Sequence, residues 1–143
     1  MWRCEHHGET ITTPAAIWNL WQDVSGWSGW NHGVADAQLT GSFAAGSTIA
    51  MTLPDGEVVF LTLEAVEEPV SFIHVASVDR LILRTDHRLE PIGDTGGHRV
   101  VYALTVNGPA PAEVLEEVGL AVSGDFPDVI ASLLAAAERA SAR

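Results

Sequence analysis

Lysine is absent from this chain, and cysteine and tyrosine occur once each, as Cys4 and Tyr102. The fully charged basic side chains are seven arginines, set against 19 acidic residues for a formal net charge of −12. Phosphate is held by clustered cations, so nucleic acid and anionic membrane surfaces are excluded as partners. One cysteine cannot close an intrachain disulfide, which fits a reducing, cytoplasmic setting. The opening residues MWRCEHHGE carry no long apolar segment, so no signal peptide is expected. No stretch approaches the roughly 18 consecutive apolar residues of a membrane span. Catalytic signatures are missing too. There is no GxSxG elbow, no HExxH and no cysteine pair, and Gly93 to Gly97 is not followed by the lysine of a phosphate loop. His6 and His7 are adjacent, so a strand points them to opposite faces. No metal site and no cofactor are expected, and no residue is assigned as catalytic. The sequence assigns no oligomeric state.

Tryptophan, by contrast, is crowded into one place. Four of the five fall in the run IWNLWQDVSGWSGWNHG, as Trp18, Trp21, Trp27 and Trp30. An indole brings a large apolar area and one N–H donor, so such a run builds a core or the wall of a cavity. Trp18 and Trp21 sit on a helical pattern with Ile17 and Leu20, and read as helix-to-sheet packing. Trp27 and Trp30 sit among Ser25-Gly26 and Ser28-Gly29, where regular helix breaks, and are the better pocket candidates.

The rest of the pattern predicts an α+β domain over residues 1–143. A first strand covers 4–11, and Thr12-Thr13-Pro14 starts a short helix that stops near Asp23. Six strands follow at 35–40, 46–53, 57–66, 71–78, 81–90 and 98–107. The turns between them are short, Gly93-Asp94-Thr95-Gly96-Gly97 being the most glycine-rich, so the pairing is antiparallel. Leu81, Leu83, Thr85, His87 and Leu89 share one face, and Arg84, Asp86, Arg88 and Glu90 the other. Likewise His98, Val100, Tyr102, Leu104 and Val106 alternate with Arg99, Val101 and Ala103. One face is core or cavity, and the other meets water. A long helical pattern then runs from about Glu113, with acidic residues at its start and Arg139 and Arg143 at its end. Pro127, just after Gly124, kinks or restarts it near Asp125-Phe126. A strongly curved sheet of about seven strands wrapped on this helix leaves a gap between them.

Three stretches resemble one known family. Ile17-Trp18, Asp23-Val24, Trp27 and Trp30 form the first. His98-Arg99-Val100-Val101-Tyr102 running to Val106-Asn107-Gly108-Pro109 forms the second. Gly124-Asp125-Phe126-Pro127 leading to Leu133-Leu134 and Ala137-Glu138 forms the third. In this order they are similar to the START-like, birch-pollen-allergen-like (SRPBCC) superfamily, in its polyketide cyclase/dehydrase branch. The resemblance implies a helix-grip fold with two short helices after the first strand. It implies either a carrier of a small hydrophobic or aromatic ligand, lipid- or polyketide-like, or a cyclase/dehydrase-type enzyme. It carries no catalytic residue over.

The expected ligand-facing residues are Trp27, Trp30, Met51, His74, His87, Tyr102, Val118, Val122 and Phe126. His87 is either a hydrogen-bonded core histidine or a group that holds a ligand hydroxyl or moves a proton. Tyr102 is either a core aromatic or a phenol that meets a ligand carbonyl. His74 lies in SFIHVASV, where either face can be inward. No second acid/base is visible beside His87, which weakens the enzyme reading. Val118, Val122 and Phe126 form the expected sheet-facing side of the terminal helix, which Gly119, Gly124 and Pro127 allow to shift.

Overall fold

A computed structural model describes residues 1–94 and 96–141. Thr95 of the glycine-rich turn and Arg143 at the expected helix end lie outside the described residues. The chain begins with strand β1 (Trp2–Thr10), helix α1 (Pro14–Gln22) and a 3-10 turn (Val24–Gly29). Thr13 caps α1: its hydroxyl accepts the Ala16 N–H at 3.3 Å, and Pro14 occupies the first helical turn. Six strands follow: β2 (Asp36–Thr40), β3 (Thr48–Thr52), β4 (Val58–Glu67), β5 (Ser71–Val78), β6 (Leu81–Ile92) and β7 (Gly97–Asn107). They form one antiparallel sheet in the order β1-β7-β6-β5-β4-β3-β2. Only β1 leaves chain order, pairing with β7 at the far end of the sheet. A bulge at Leu63/Ala65 shifts the register between β4 and β5, and such an extra residue bends the strand and sharpens its twist. Asp79 (φ 50°) and Arg80 (φ 69°) close the β5–β6 hairpin, a two-residue turn of the primed kind that follows the twist of its strands.

The terminal helical pattern is two helices, α2 (Ala112–Ser123) and α3 (Phe126–Ser141), broken at Gly124-Asp125. The break removes the continuity that one long helix would have, and Pro127 falls in the first turn of α3, where its missing N–H costs nothing. Residues Ala112–Ser141 contain an 18-residue window of mean hydropathy 1.4. By length and composition this window reaches the range of a membrane span, but its apolar residues are not consecutive and the break at Gly124-Asp125 divides it. The apolarity has a role in the fold, because Val129, Ile130, Leu133 and Ala137 of α3 are buried in the main core with the tryptophans.

Two apolar clusters result. The larger joins α1, the 3-10 turn, the inner faces of β2–β7 and α3. The smaller holds Leu81, Leu83, Leu104, Val106 and Leu115, with Trp2, Cys4 and Val118 against it. The outer face carries the charges: Arg84 grips Glu64 with two bonds of 2.7 Å, and Arg88 meets Asp86 at 2.6 Å. These pairs are solvent-reaching and contribute little stability. The outer face of β7 is not uniformly wet, however. Val101 and Ala103 are buried there, because His7 and Arg88 flank Val101, and Glu5 and Asp86 flank Ala103, on the two neighbouring strands.

Helix α2 is seated on β1 through Gly119. A Cβ at this position would overlap the Trp2 indole. Leucine has a better helix propensity than glycine by nearly 1 kcal/mol. Gly119→Leu is nevertheless expected to lower stability by about 1–3 kcal/mol, since overpacking outweighs propensity. Urea denaturation checks this, and Trp2→Ala in the same chain should recover most of the loss. A leucine variant at least as stable as the parent would refute the packing account.

Candidate functional site

The inner face of the sheet, the 3-10 turn and the α2–α3 junction enclose a cavity of about 620 Å³. That volume falls in the range of small-molecule sites, roughly 300–1,000 Å³. Register explains its floor. Phe72 on β5 stands opposite His87 on β6, His87 opposite Tyr102 on β7, and Tyr102 opposite His6 on β1. Inward parity is common to all four, so they make a row of rings across four strands. Phe72 and His87 stack at 4.0 Å with planes 5° apart, and His87 meets Tyr102 edge-on at 4.6 Å. Phe126 of α3 closes the far end of the row, edge-on to Tyr102 at 5.7 Å and to His6 at 6.1 Å.

The tryptophans hold this row from above. Trp21 donates its indole N–H to the Tyr102 oxygen at 3.2 Å, and Trp27 donates to the Trp21 carbonyl at 2.9 Å. Tyr102 therefore keeps its own O–H proton to give elsewhere. Burial pushes the Tyr102 phenol well up, and the Trp21 N–H offsets this only in part. His87 Nδ1 lies 3.2 Å from the Phe72 carbonyl. A carbonyl can only accept, so Nδ1 carries the proton and Nε2 of the neutral ring is the acceptor. Burial first, and then the nearby His74 ring, hold His87 well below the ordinary histidine value. His74, two residues along β5 from Phe72, places its ring 4.8 Å from that of His87. Burial pushes His74 down to about 4, and its Nδ1 is buried with no hydrogen-bond partner among the described residues. The site thus offers neutral rings: an acceptor at His87 and a donor at Tyr102, with the His74 ring packed beside His87.

No protein-family model matches this sequence. No curated protein matches it either. Solved structures do. The di-domain ARO/CYC StfQ from the steffimycin biosynthetic pathway superposes with a TM-score of 0.80 at 11% identity, covering 99% of this chain and 52% of that one. Norcoclaurine synthase from Thalictrum flavum, in complex with a transition-state analogue, gives a TM-score of 0.77 at 10% identity over 98% and 96% of the two chains. Ara h 8.0201 gives 0.65 at 16% identity over 94% and 98%. The fold is the helix-grip. At such identities the likeness carries the architecture and no residue's role.

In this helix-grip frame most of the expected pocket residues converge. Trp27, Trp30, Met51, His74, His87, Tyr102, Val122 and Phe126 all line the cavity. Val118 does not. It packs in the smaller cluster beside Leu81, Leu83 and Leu115, because the break at Gly124 lets α2 lie over β7 and β1 instead of over the cavity. The parity of β5 puts His74 inward, so a second imidazole does stand beside His87, contrary to the sequence expectation. Trp18 is packing alone, edge-on to Phe43 at 5.8 Å. Trp21 both packs and lines the cavity.

Sequence reasoning missed Phe72, Thr85, Asp55 and Asp125, which also line it. Thr85 is buried on the inner face of β6. Asp55 belongs to the β3–β4 turn and Asp125 to the α2–α3 break, and nothing in either local pattern points to a pocket. Both carboxylates sit at the solvent-reaching mouth. Partial desolvation raises the Asp125 carboxyl. Among the described residues, no three histidine, cysteine or acidic side chains converge as a metal site.

Proposed function

We propose that this protein binds a small hydrophobic or aromatic ligand in the cavity between the sheet and the terminal helices. One observation carries the reading: an apolar cavity of about 620 Å³ has the rings of His74, His87 and Tyr102 clustered on its floor, while the lining carboxylates of Asp55 and Asp125 are exposed. Apolar walls supply the affinity and a few placed polar groups fix orientation. Trp21, Trp27, Trp30 and Phe126 wall the ligand, and the His87–Tyr102 pair meets its polar end. The similar structures support the reading, since a second structure of Thalictrum flavum norcoclaurine synthase holds dopamine and hydroxybenzaldehyde.

Binding is tested with N-phenyl-1-naphthylamine, an uncharged probe that brightens in apolar sites. Saturable one-to-one binding is expected, with quenching of the cavity tryptophans. Val59 faces the cavity, so Val59→Trp should fill it and weaken the probe at least tenfold, about 1.4 kcal/mol. A filled variant that binds as well as the parent would sink the proposed location.

A polyketide cyclase/dehydrase-type activity is the second reading, favoured by the His74–His87–Tyr102 cluster. His87 Nε2 would take a proton from carbon between two carbonyls, and the Tyr102 O–H would support the enolate oxygen. On a poly-β-ketone substrate, His87→Gln should then slow ring closure by about 10²-fold or more. Unchanged product formation would leave the carrier reading alone.

A further inference from the structure

The cavity differs from its surroundings in the sign of charge it can tolerate. No arginine lines it among the described residues, and the chain has no lysine. Four arginines are committed elsewhere: Arg3 to Glu5, Arg84 to Glu64, Arg88 to Asp86 and Arg99 to Glu9, all on the outer face. The carboxylates among the lining residues are Asp55 and Asp125, both at exposed positions of the mouth. A carboxylate or phosphate entering this site would pass two like charges and then lose its water with no cation to receive it. Burying an unpaired anion is among the costliest steps a site can impose.

The inner end has the opposite preference. The Tyr102 oxygen already accepts the Trp21 N–H, so its proton is free to donate. The proton on His87 Nδ1 is held by the Phe72 carbonyl, so Nε2 accepts. A hydroxyl group satisfies both partners at once, because it accepts from one and donates to the other. The uncharged His74 ring lies beside them, 4.8 Å from that of His87. A group that only accepts, such as a carboxylate, leaves His87 Nε2 facing a lone pair.

We infer that the cavity selects its ligand by charge, taking uncharged hydroxylated aromatic compounds and rejecting those that carry a carboxylate, sulfonate or phosphate. The inference rests on the ligand-binding reading above and narrows it to a chemical class. The recognition groups are the His87–Tyr102 pair at the inner end and the Asp55–Asp125 pair at the mouth.

The test is displacement of N-phenyl-1-naphthylamine from the full chain at pH 7.5 by 2-naphthol and by 2-naphthoate. They share a ring system and differ in the charge of the polar group. We expect 2-naphthol to bind at least about tenfold more tightly, the least that an unpaired buried charge costs in such a site. Tyr102→Phe should weaken 2-naphthol several-fold more than it weakens the probe. Asp125→Asn should narrow the gap by improving 2-naphthoate alone. Equal affinity for the two naphthalenes would overturn the inference. So would tight 2-naphthoate binding with uptake of a proton, which would mean that a histidine charges to meet it. If the probe itself fails to bind, the cavity reading falls and this inference falls with it; if the probe binds and the naphthalenes are not distinguished, only the inference falls.

Discussion

Trp21→Ala is expected to cost about 3–5 kcal/mol of folding stability, the range for removing a large buried aromatic. Trp21 is fully buried and touches the rings of Trp18, Phe72, His87 and Tyr102. It also donates its N–H to the Tyr102 oxygen, and its carbonyl receives Trp27. Truncation therefore opens a void against the floor of the cavity and leaves Tyr102 without its donor. Urea denaturation followed by far-ultraviolet circular dichroism measures the loss independently of indole fluorescence. Trp21→Phe separates the two contributions, because it keeps most of the ring volume and removes only the N–H. Its cost should be well below that of alanine, with the Tyr102 hydrogen bond worth about 1 kcal/mol. A Trp21→Ala chain within 1 kcal/mol of the parent would contradict the central place given to this side chain.

The second large effect is acid destabilisation. His74 and His87 are neutral in the folded chain, with His74 pushed down to about 4 and His87 also well below its ordinary value. Unfolding returns both to about 6.5. Between these values the unfolded chain binds more protons than the folded one, so stability is full above about pH 6.5 and falls as the pH drops toward 4. His74 alone accounts for a loss on the order of 3 kcal/mol across this window. Asp125 works the other way, because its raised carboxyl relieves a penalty on protonation. Relief of the overall negative charge also favours the folded chain in acid. The histidines should still dominate between pH 6.5 and 5, where carboxylates remain ionised. The check is the urea midpoint measured at pH 7, 6 and 5 in the parent and in the variant carrying His74→Gln and His87→Gln. The parent midpoint should fall and that of the variant should change little. A flat parent profile would mean that these rings are hydrated or charged in the folded state.

Much of this architecture was legible in the sequence because it is written in local chemistry. Thr13-Pro14 starts α1, the serine-glycine pairs fall in the 3-10 turn that follows it, and alternation sets the faces of β6 and β7. Gly124 and Pro127 break the terminal helix. Each of these depends on residues within a turn or two of one another. The cavity lining was legible to the same extent: Trp27, Trp30, Met51, His87, Tyr102 and Phe126 could be placed inward from their own segments. Val118 could not be excluded, because its helical phase is right and only the direction taken by α2 moves it to the smaller cluster. His74 could not be oriented, since SFIHVASV is apolar at both parities.

The crowded tryptophans and the scarce cations were properties of the sequence alone, and together they fixed a large apolar core and an acidic chain with few charges to place inside it. What the tertiary structure decided was which rings meet. Phe72, His87, Tyr102 and His6 are far apart in the chain, and antiparallel register alone sets them side by side on four strands. Register depends on pairings between distant segments, and a slip of one residue would turn every ring to the other face. The neutral cluster around His87, with no arginine beside it among the described residues, therefore follows from the sheet as a whole.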